Sequence, residues 1–428
     1  MKPMLPMLSA LILLCAPALA IESETLDRAG VELYGSLDVR TGARIRSDPH
    51  QRRTSLQEAR IQLEATRLGE SANLNLRGDF VYDRIARERD PDLERGEGFV
   101  DLREANVQIF PHPDADLKIG RQILTWGTGD LLFINDLFPK DWQSFFLGRD
   151  EEYLKAPSDA AMLSLFPGGF ALDLVYIPRF DADRFISGER ISFFSPAAGG
   201  LAGRENPVRT EPRDDWFSED EIALRASRNI EGMEAALYGY EGFWKSPAGM
   251  LSSGRAFFPR LRVLGAGLRG PLGDGLFNVE AGRYDSRQDS GGRDPFIPNS
   301  ELRLLLGYER ELAADFSAAL QYYLEHLEDY GAYRASLPAA APARDENRHL
   351  LSLRLTRLLL NQNLRLSLFT YYSPSDRDAY LRPALDYRAG DRLNLFAGGN
   401  LFTGKDVHTF FGQFENNSNL YAGVRYSF

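Results

Sequence analysis

Cysteine is almost absent: the 428 residues hold one, Cys15, beside five histidines scattered at His50, His112, His326, His349 and His408. That supply excludes a disulfide framework and leaves nothing spaced for a structural zinc site. Beyond the N-terminus no run approaches the ~18 consecutive apolar residues of a membrane helix. Basic residues are outnumbered, and the formal net charge of -11 argues against a nucleic-acid partner. No G-x-S-x-G elbow, Ser–His pair or paired-carboxylate arrangement is present, so no catalysis is expected. Gly265-Ala266-Gly267-Leu268-Arg269-Gly270 fits G-x-G-x-x-G, but Pro271 and another strand pattern follow it. Without a helix end there is no phosphate cradle, and the glycines read as easing a strand into a turn. Asp181 and Asp183 offer oxygen ligands for Ca2+, yet they read as solvated loop charge. No cofactor and no metal are expected.

What the chain does have begins with an address. Lys2, the apolar stretch Leu5 to Cys15 and the small-x-small Ala18-Leu19-Ala20 form a secretory signal over residues 1–20. Leu14 stands before Cys15 where a lipid-attachment signal wants a small residue. The remainder, 21–428, is expected to fold as one domain in an oxidising compartment without disulfides. The stub Ile21 to Gly30 is too short for a plug domain.

From there, alternation with period two runs almost throughout. Val31, Leu33, Gly35, Leu37 and Val39 alternate with mostly polar neighbours; so do Leu302, Leu304, Leu306 and Tyr308, and Leu351, Leu353 and Leu355. Such alternation predicts strands with one apolar face. Eighteen segments begin near residues 31, 56, 72, 99, 115, 159, 169, 219, 231, 260, 274, 299, 313, 346, 361, 378, 391 and 417. Most are longer than the ~5–6 residues of soluble strands and match the ~9–11 needed to cross a bilayer. Short connections alternate with long ones, as in a transmembrane antiparallel β-barrel with its short turns on the periplasmic side. The predicted class is all-β: one barrel of about 18 strands, wide enough for an aqueous channel.

Tyr421-x-Gly423-x-x-Tyr426-x-Phe428 closes the chain on an aromatic and resembles the C-terminal signal read by the barrel-assembly machinery of the outer membrane. The whole pattern resembles Gram-negative porins, most like the alginate-export-like and specific-porin groups. Gly120-Arg121-Gln122-x-x-x-Trp126-Gly127 resembles a stretch found in several of them. The resemblance implies an outer-membrane location, with lipid, lipopolysaccharide and the assembly machinery as partners. It also implies passive passage of small-molecule solutes. Outer-membrane phospholipases and proteases are barrels too, with fewer strands, so fold alone does not exclude an enzyme. A different reading is an exporter or a structural partner barrel of a polymer-export complex. Arg121 poses a local problem. On the row of Leu117, Ile119 and Ile123 it would meet lipid at a cost of ~2–4 kcal/mol. A β-bulge or a place above the apolar band is expected to resolve it.

The long third loop, 125–157, carries Leu131, Leu132, Phe133, Ile134, Phe138, Trp142, Phe145, Phe146 and Leu147, too apolar for an external loop in water. It is expected to fold inward as a constriction, with an outer lid or an apolar site for a hydrophobic solute as alternatives. Trp126, Asp130, Asp136, Asp141, Trp142, Glu151 and Glu152 are its candidate functional residues. On strands fourteen to eighteen, alternation places Arg348, Arg354, Arg365, Arg382, Arg388, Arg392 and Arg425 inward, answered on those strands by Asp386 alone. An acidic loop opposite an arginine wall predicts a transverse field and passage of anionic solutes. Arginine–carboxylate pairs that merely brace the loop are the alternative.

Overall fold

The computed structural model describes residues 28–86, 90–339 and 341–428; the expected signal segment 1–20 lies outside them. The chain runs β1 (Val31–Arg44), β2 (Thr54–Arg67), β3 (Ala72–Asp83), β4 (Val100–His112) and β5 (Ala115–Gln122). A long loop holding α1 (Trp142–Leu147) leads to β6 (Ser158–Leu165) and β7 (Phe170–Ile177). The next loop carries a small ribbon, β8 (Phe193–Ser195) and β9 (Gly200–Ala202), before β10 (Glu221–Ile230) and β11 (Met233–Phe243). A second ribbon, β12 (Gly249–Met250) and β13 (Ala256–Phe257), precedes β14 (Arg260–Leu272), β15 (Gly275–Ser286), β16 (Glu301–Ala313) and β17 (Phe316–Leu327). After α2 (Tyr330–Ser336) come β18 (Asn347–Leu359), β19 (Leu364–Ser373), β20 (Asp378–Arg388), β21 (Leu393–Gly404) and β22 (Asn419–Ser427).

Leaving out the two ribbons, these strands form one 18-stranded antiparallel sheet. It closes where β1 pairs with β22, from Ser36 opposite Ser427 to Arg44 opposite Asn419. Closure matters physically: an open edge in a bilayer would leave rows of N–H and C=O groups with no partner. Short turns use residues that accept left-handed backbone. Glu231 and Gly232 both have positive φ (54° and 86°), the two-residue hairpin geometry that matches strand twist.

The two faces are inverted relative to a soluble sheet. Leu224, Leu237, Leu264, Leu320 and Leu420 point outward and are exposed, while Glu58, Arg60, Asp79, Asp101 and Glu280 point inward and are buried. An outward apolar band around a polar interior is what a barrel in lipid requires. Arg121 escapes the lipid without a bulge, because its ladder with β4 stays in register from Ala105–Arg121 to Ile109–Leu117. It stands at the outer end of β5, where its guanidinium binds Asp159 (2.7 and 2.9 Å), Glu94 (3.2 Å) and the Leu93 carbonyl (2.9 Å). The loop between β3 and β4 supplies those last two groups and covers the charge.

Candidate functional site

The loop between β5 and β6 packs against inward-facing side chains around the ring. It is seated first on β14 and β15. Glu280 accepts hydrogen bonds from Gly129 N (3.0 Å), Asn135 N (3.2 Å), Asn135 Nδ2 (3.0 Å) and Thr128 Oγ1 (2.9 Å), and also from Thr128 N. A carboxylate gripped by backbone donors holds a turn as firmly as a short strand pair. The seat needs missing side chains as well as a present one. A Cβ on Gly265 would run into Asn135 Oδ1, and one on Gly282 would lie 2.8 Å from the Ile134 methyl. Gly265, which the sequence suggested eases a strand into a turn, is therefore a slot for the loop. Tyr284 OH, donating to the Ile134 carbonyl, completes the seat.

The middle of the loop folds as α1 because Asp141 caps it, accepting from Ser144 N (2.7 Å), and Gly148 at φ 88° ends it. One turn of helix points Phe145 and Phe146 at β20 and β21. Phe146 lies 5.5 Å from Tyr380, 5.1 Å from Phe402 and 5.0 Å from Phe414, and Tyr380 stacks on Phe402 at 4.6 Å. Trp126 packs edge-on to Phe138 at 4.9 Å, and Trp142 donates from Nε1 to Asp183 at 3.2 Å.

Charged ends of the loop reach the arginine row. Arg354, on β18, donates to both oxygens of Asp130 (2.5 and 2.6 Å) and to Glu151 (3.3 Å). Arg382 on β20 also meets Glu151 (3.1 Å). Arg425 on β22 meets Asp38 (3.0 Å), Asp150 (3.2 Å) and Glu152 (3.5 Å). Burial pushes Glu151 up, but the Arg382 and Arg354 guanidiniums outweigh it and hold the carboxyl below its ordinary value. Asp150 is lowered in the same way, with Arg425 and Arg40 overcoming burial, whereas burial and neighbouring Asp150 leave Glu152 raised.

Several expected members stand elsewhere. Asp136 faces Lys140 (3.0 Å) and accepts from Thr125 (2.9 Å), and Asp141 is used by the helix cap, with Arg184 3.5 Å away. Among the described contacts neither meets the arginine row, though Asp136 lines the same hollow as Asp130 and Glu151. Arg348 is held by Asp376 (2.5 Å) nearer the long loops, and Arg365 is 61% exposed with only Asp386 near it, at 3.8 Å. Asp386 is therefore not the sole answer to these arginines; Asp376, Asp38 and the loop carboxylates share it. Tyr421 does more than end the chain. A Cβ on Gly148 would strike its ring, so Tyr421 abuts the end of α1. Gly423 leaves room for the Phe396 ring, over which Arg40 sits at 4.0 Å. Tyr426 and Phe428 lie on the outward row.

A second charged cluster, on β2 to β4, was not singled out in the sequence. Arg60 binds Asp79 (2.5 Å) and Glu58 (3.0 Å), and Glu58 also receives Arg149 of the loop (2.6 Å). Arg184, from the loop after β7, binds Asp101 with two hydrogen bonds (2.7 and 3.0 Å). The signal was there as charged residues on every second position, but cross-strand register decides who meets whom. The loop thus has ionic anchors on both sides of the ring. Below it, a polar hollow of about 300 Å³ is lined by Asp130, Glu151, Lys155, Arg269 and Glu280, among others. Glu94, Asp159 and Asp181 place carboxylate oxygens within 4.8 Å of one another, but Arg121 and Arg179 already occupy the first two. Asp183 is filled by donors from Lys140 N, Trp142 and Ser246. Asp181 and Asp183 do not converge on a cation site.

Neither a scan against protein-family models nor a search of curated proteins finds a match for this sequence. Solved structures do match over nearly the whole chain. The outer-membrane porin OccAB3 of Acinetobacter baumannii superposes with TM-score 0.57 at 12% identity, over 94% of this chain and 99% of that one. OccK2 (OpdF) of Pseudomonas aeruginosa, solved in complex with glucuronate, gives 0.56 at 12%, over 93% and 98%. OccAB4 of A. baumannii gives 0.56 at 9%, over 93% and 98%. At such identity the likeness concerns the backbone: the chain has the closed 18-stranded barrel fold of outer-membrane porins.

Proposed function

We propose that this protein is a channel of the bacterial outer membrane for passive passage of small hydrophilic, anionic solutes. The loop between β5 and β6 lies across the bore and narrows it. The observation that carries the reading is the ring of contacts at one level: Arg354, Arg382 and Arg425 on the wall against Asp130, Asp150, Glu151 and Glu152 on the loop. Asp130 and Glu151 of this set also line the hollow of about 300 Å³, and rings of charge along a passage select solutes by sign. A solute carboxylate competes with the loop carboxylates for guanidinium groups whose planar forks suit it. Nearer the short turns, exposed Arg269 and Arg365 continue the inward row on β14 and β19. The glucuronate held by the similar OccK2 barrel supports the same solute class.

Proteoliposome swelling tests this. The rate with glucuronate is expected to exceed that with glucose, and glucosamine is expected to be slowest. Equal rates, or fastest entry by the amine, would refute the anionic preference; no swelling with any solute would refute the channel.

A further inference from the structure

On the long-loop side of the constriction, the interior changes character. Two adjoining hollows of about 650 and 520 Å³ lie between the outer loops and the loop after β5. They share Phe133, Trp142, Phe146, Phe194 and Phe410 as walls. Phe410 is 45% exposed, yet its ring is fixed by Phe411 at 4.9 Å and Phe414 at 6.4 Å. Phe133 and Trp142 are likewise fixed edge-on at 6.0 Å. A preformed, ring-lined space of several hundred cubic ångströms is the size of a small-molecule site, not of a protein segment.

The charges around this chamber are spent on one another. Arg303 and Arg344 are bound by Glu301 (2.7 and 3.0 Å), Arg348 by Asp376 (2.5 Å), Lys140 by Asp136 (3.0 Å) and Lys245 by Glu221 (2.6 Å). Among the described wall residues, the charged side chains left without a partner are Asp345 and Asp406, both carboxylates. No cation is left over for an anionic group, and the two free carboxylates repel one. Arg348 lies over one face of Phe410 (5.5 Å) and Lys140 over one face of Phe133 (4.8 Å), so the remaining ring surfaces are the principal recognition element, and they are satisfied by apolar contact.

We propose that this outer chamber is a binding site for a ring-bearing molecule without negative charge, an aromatic or alicyclic compound of roughly two fused rings. The site stands apart from the arginine row and does not rest on the ionic preference of the bore. A ligand bound there displaces water from Phe194 and Phe410 and sits above the constriction, at the entrance to any path through it.

The test uses the full-length protein in lipid nanodiscs, with quenching of tryptophan fluorescence by 1-bromonaphthalene. The wild type should quench saturably, and Phe194→Ser/Phe410→Ser should raise the half-saturating concentration at least tenfold. Naphthalene should compete, with 2-naphthoate at least tenfold weaker. Ala343→Trp, which narrows the larger hollow without removing a packed side chain, should raise the half-saturating concentration with normal heat-modifiable migration. Quenching that is linear and identical in all three proteins is partition into lipid and overturns the proposal. So does competition by naphthoate as good as that by naphthalene. Ion selectivity should be the same in wild type and Ala343→Trp, so loss of the anionic reading leaves this one standing, and the reverse.

Discussion

At the scale of single residues, the loop seat depends on what is absent as much as on what is present. Gly265 and Gly282 leave the space that Asn135 and Ile134 fill, and Glu280 collects the donors around them. Replacing Glu280 by Gln puts an amide N–H2 among groups that all donate. Leaving buried donors unsatisfied costs about 1–3 kcal/mol. That is small against a whole barrel, but it is comparable with what holds one turn in place. Glu280→Gln should therefore keep normal expression and heat-modifiable migration while single-channel current becomes noisier. Gly265→Leu should do the same more strongly, and quiet, wild-type current in both would remove the seat from the account. None of this was legible in the sequence. The glycines were visible, but what fills the gap at Gly265 lies at position 135, and only the folded ring brings the two together.

At the scale of the element, the loop after β5 is fastened by apolar packing on one part and by ion pairs on another. Phe145, Phe146 and Leu147 are buried, so the α1 segment has no reason to leave its place. The segment with Asp150 and Glu151 is different, because it is exposed enough for protons to reach it. Both carboxyls are held below their ordinary values by facing arginines, despite burial. A carboxylate lowered in the folded state adds stability at pH above its unfolded value, ~4. That contribution disappears as pH falls through the lowered value. The hold of Asp150 and Glu151 should thus be constant from neutrality down to about pH 4 and weaken below it, while the raised Glu152 gives up its charge opposite Arg425 earlier. Current noise should rise most steeply in that acid range, and Glu151→Gln should already be noisy at pH 7. Noise independent of pH down to 3 would contradict the ionic fastening. The apolar character of this loop was plain from its sequence, as were its acids. Which acids meet arginine was not, since Asp136 and Asp141 are used locally, by Lys140 and by the α1 cap. The cluster on β2 to β4 escaped notice for the related reason that Glu58, Arg60, Asp79 and Asp101 belong to three strands whose register no single strand reveals.

At the scale of the whole molecule, the strands were the most legible feature, because alternation with period two is a local property written into each segment. All eighteen expected starts fall within three residues of the observed ones, from Val31 to Asn419. Closure is less local, and it rests on the last residue. Phe428 N donates to Gly35 O (2.9 Å), Gly35 N donates back (3.0 Å), and the Phe428 ring fills the space a side chain on Gly35 would need. Deleting Phe428 removes two bonds of the seam while leaving every inward residue in place. Low outer-membrane levels and loss of heat-modifiable migration are expected; normal insertion would show the seam tolerates its loss. Passage of solutes through the bore should depend on the arginine row. The most direct measurement is reversal potential across a KCl gradient in planar bilayers, for wild type and for Arg354→Glu/Arg382→Glu. The purified protein should conduct, prefer chloride, and shift toward potassium in the double variant. Cation preference in the wild type, an unshifted variant, or no conductance at all would contradict it.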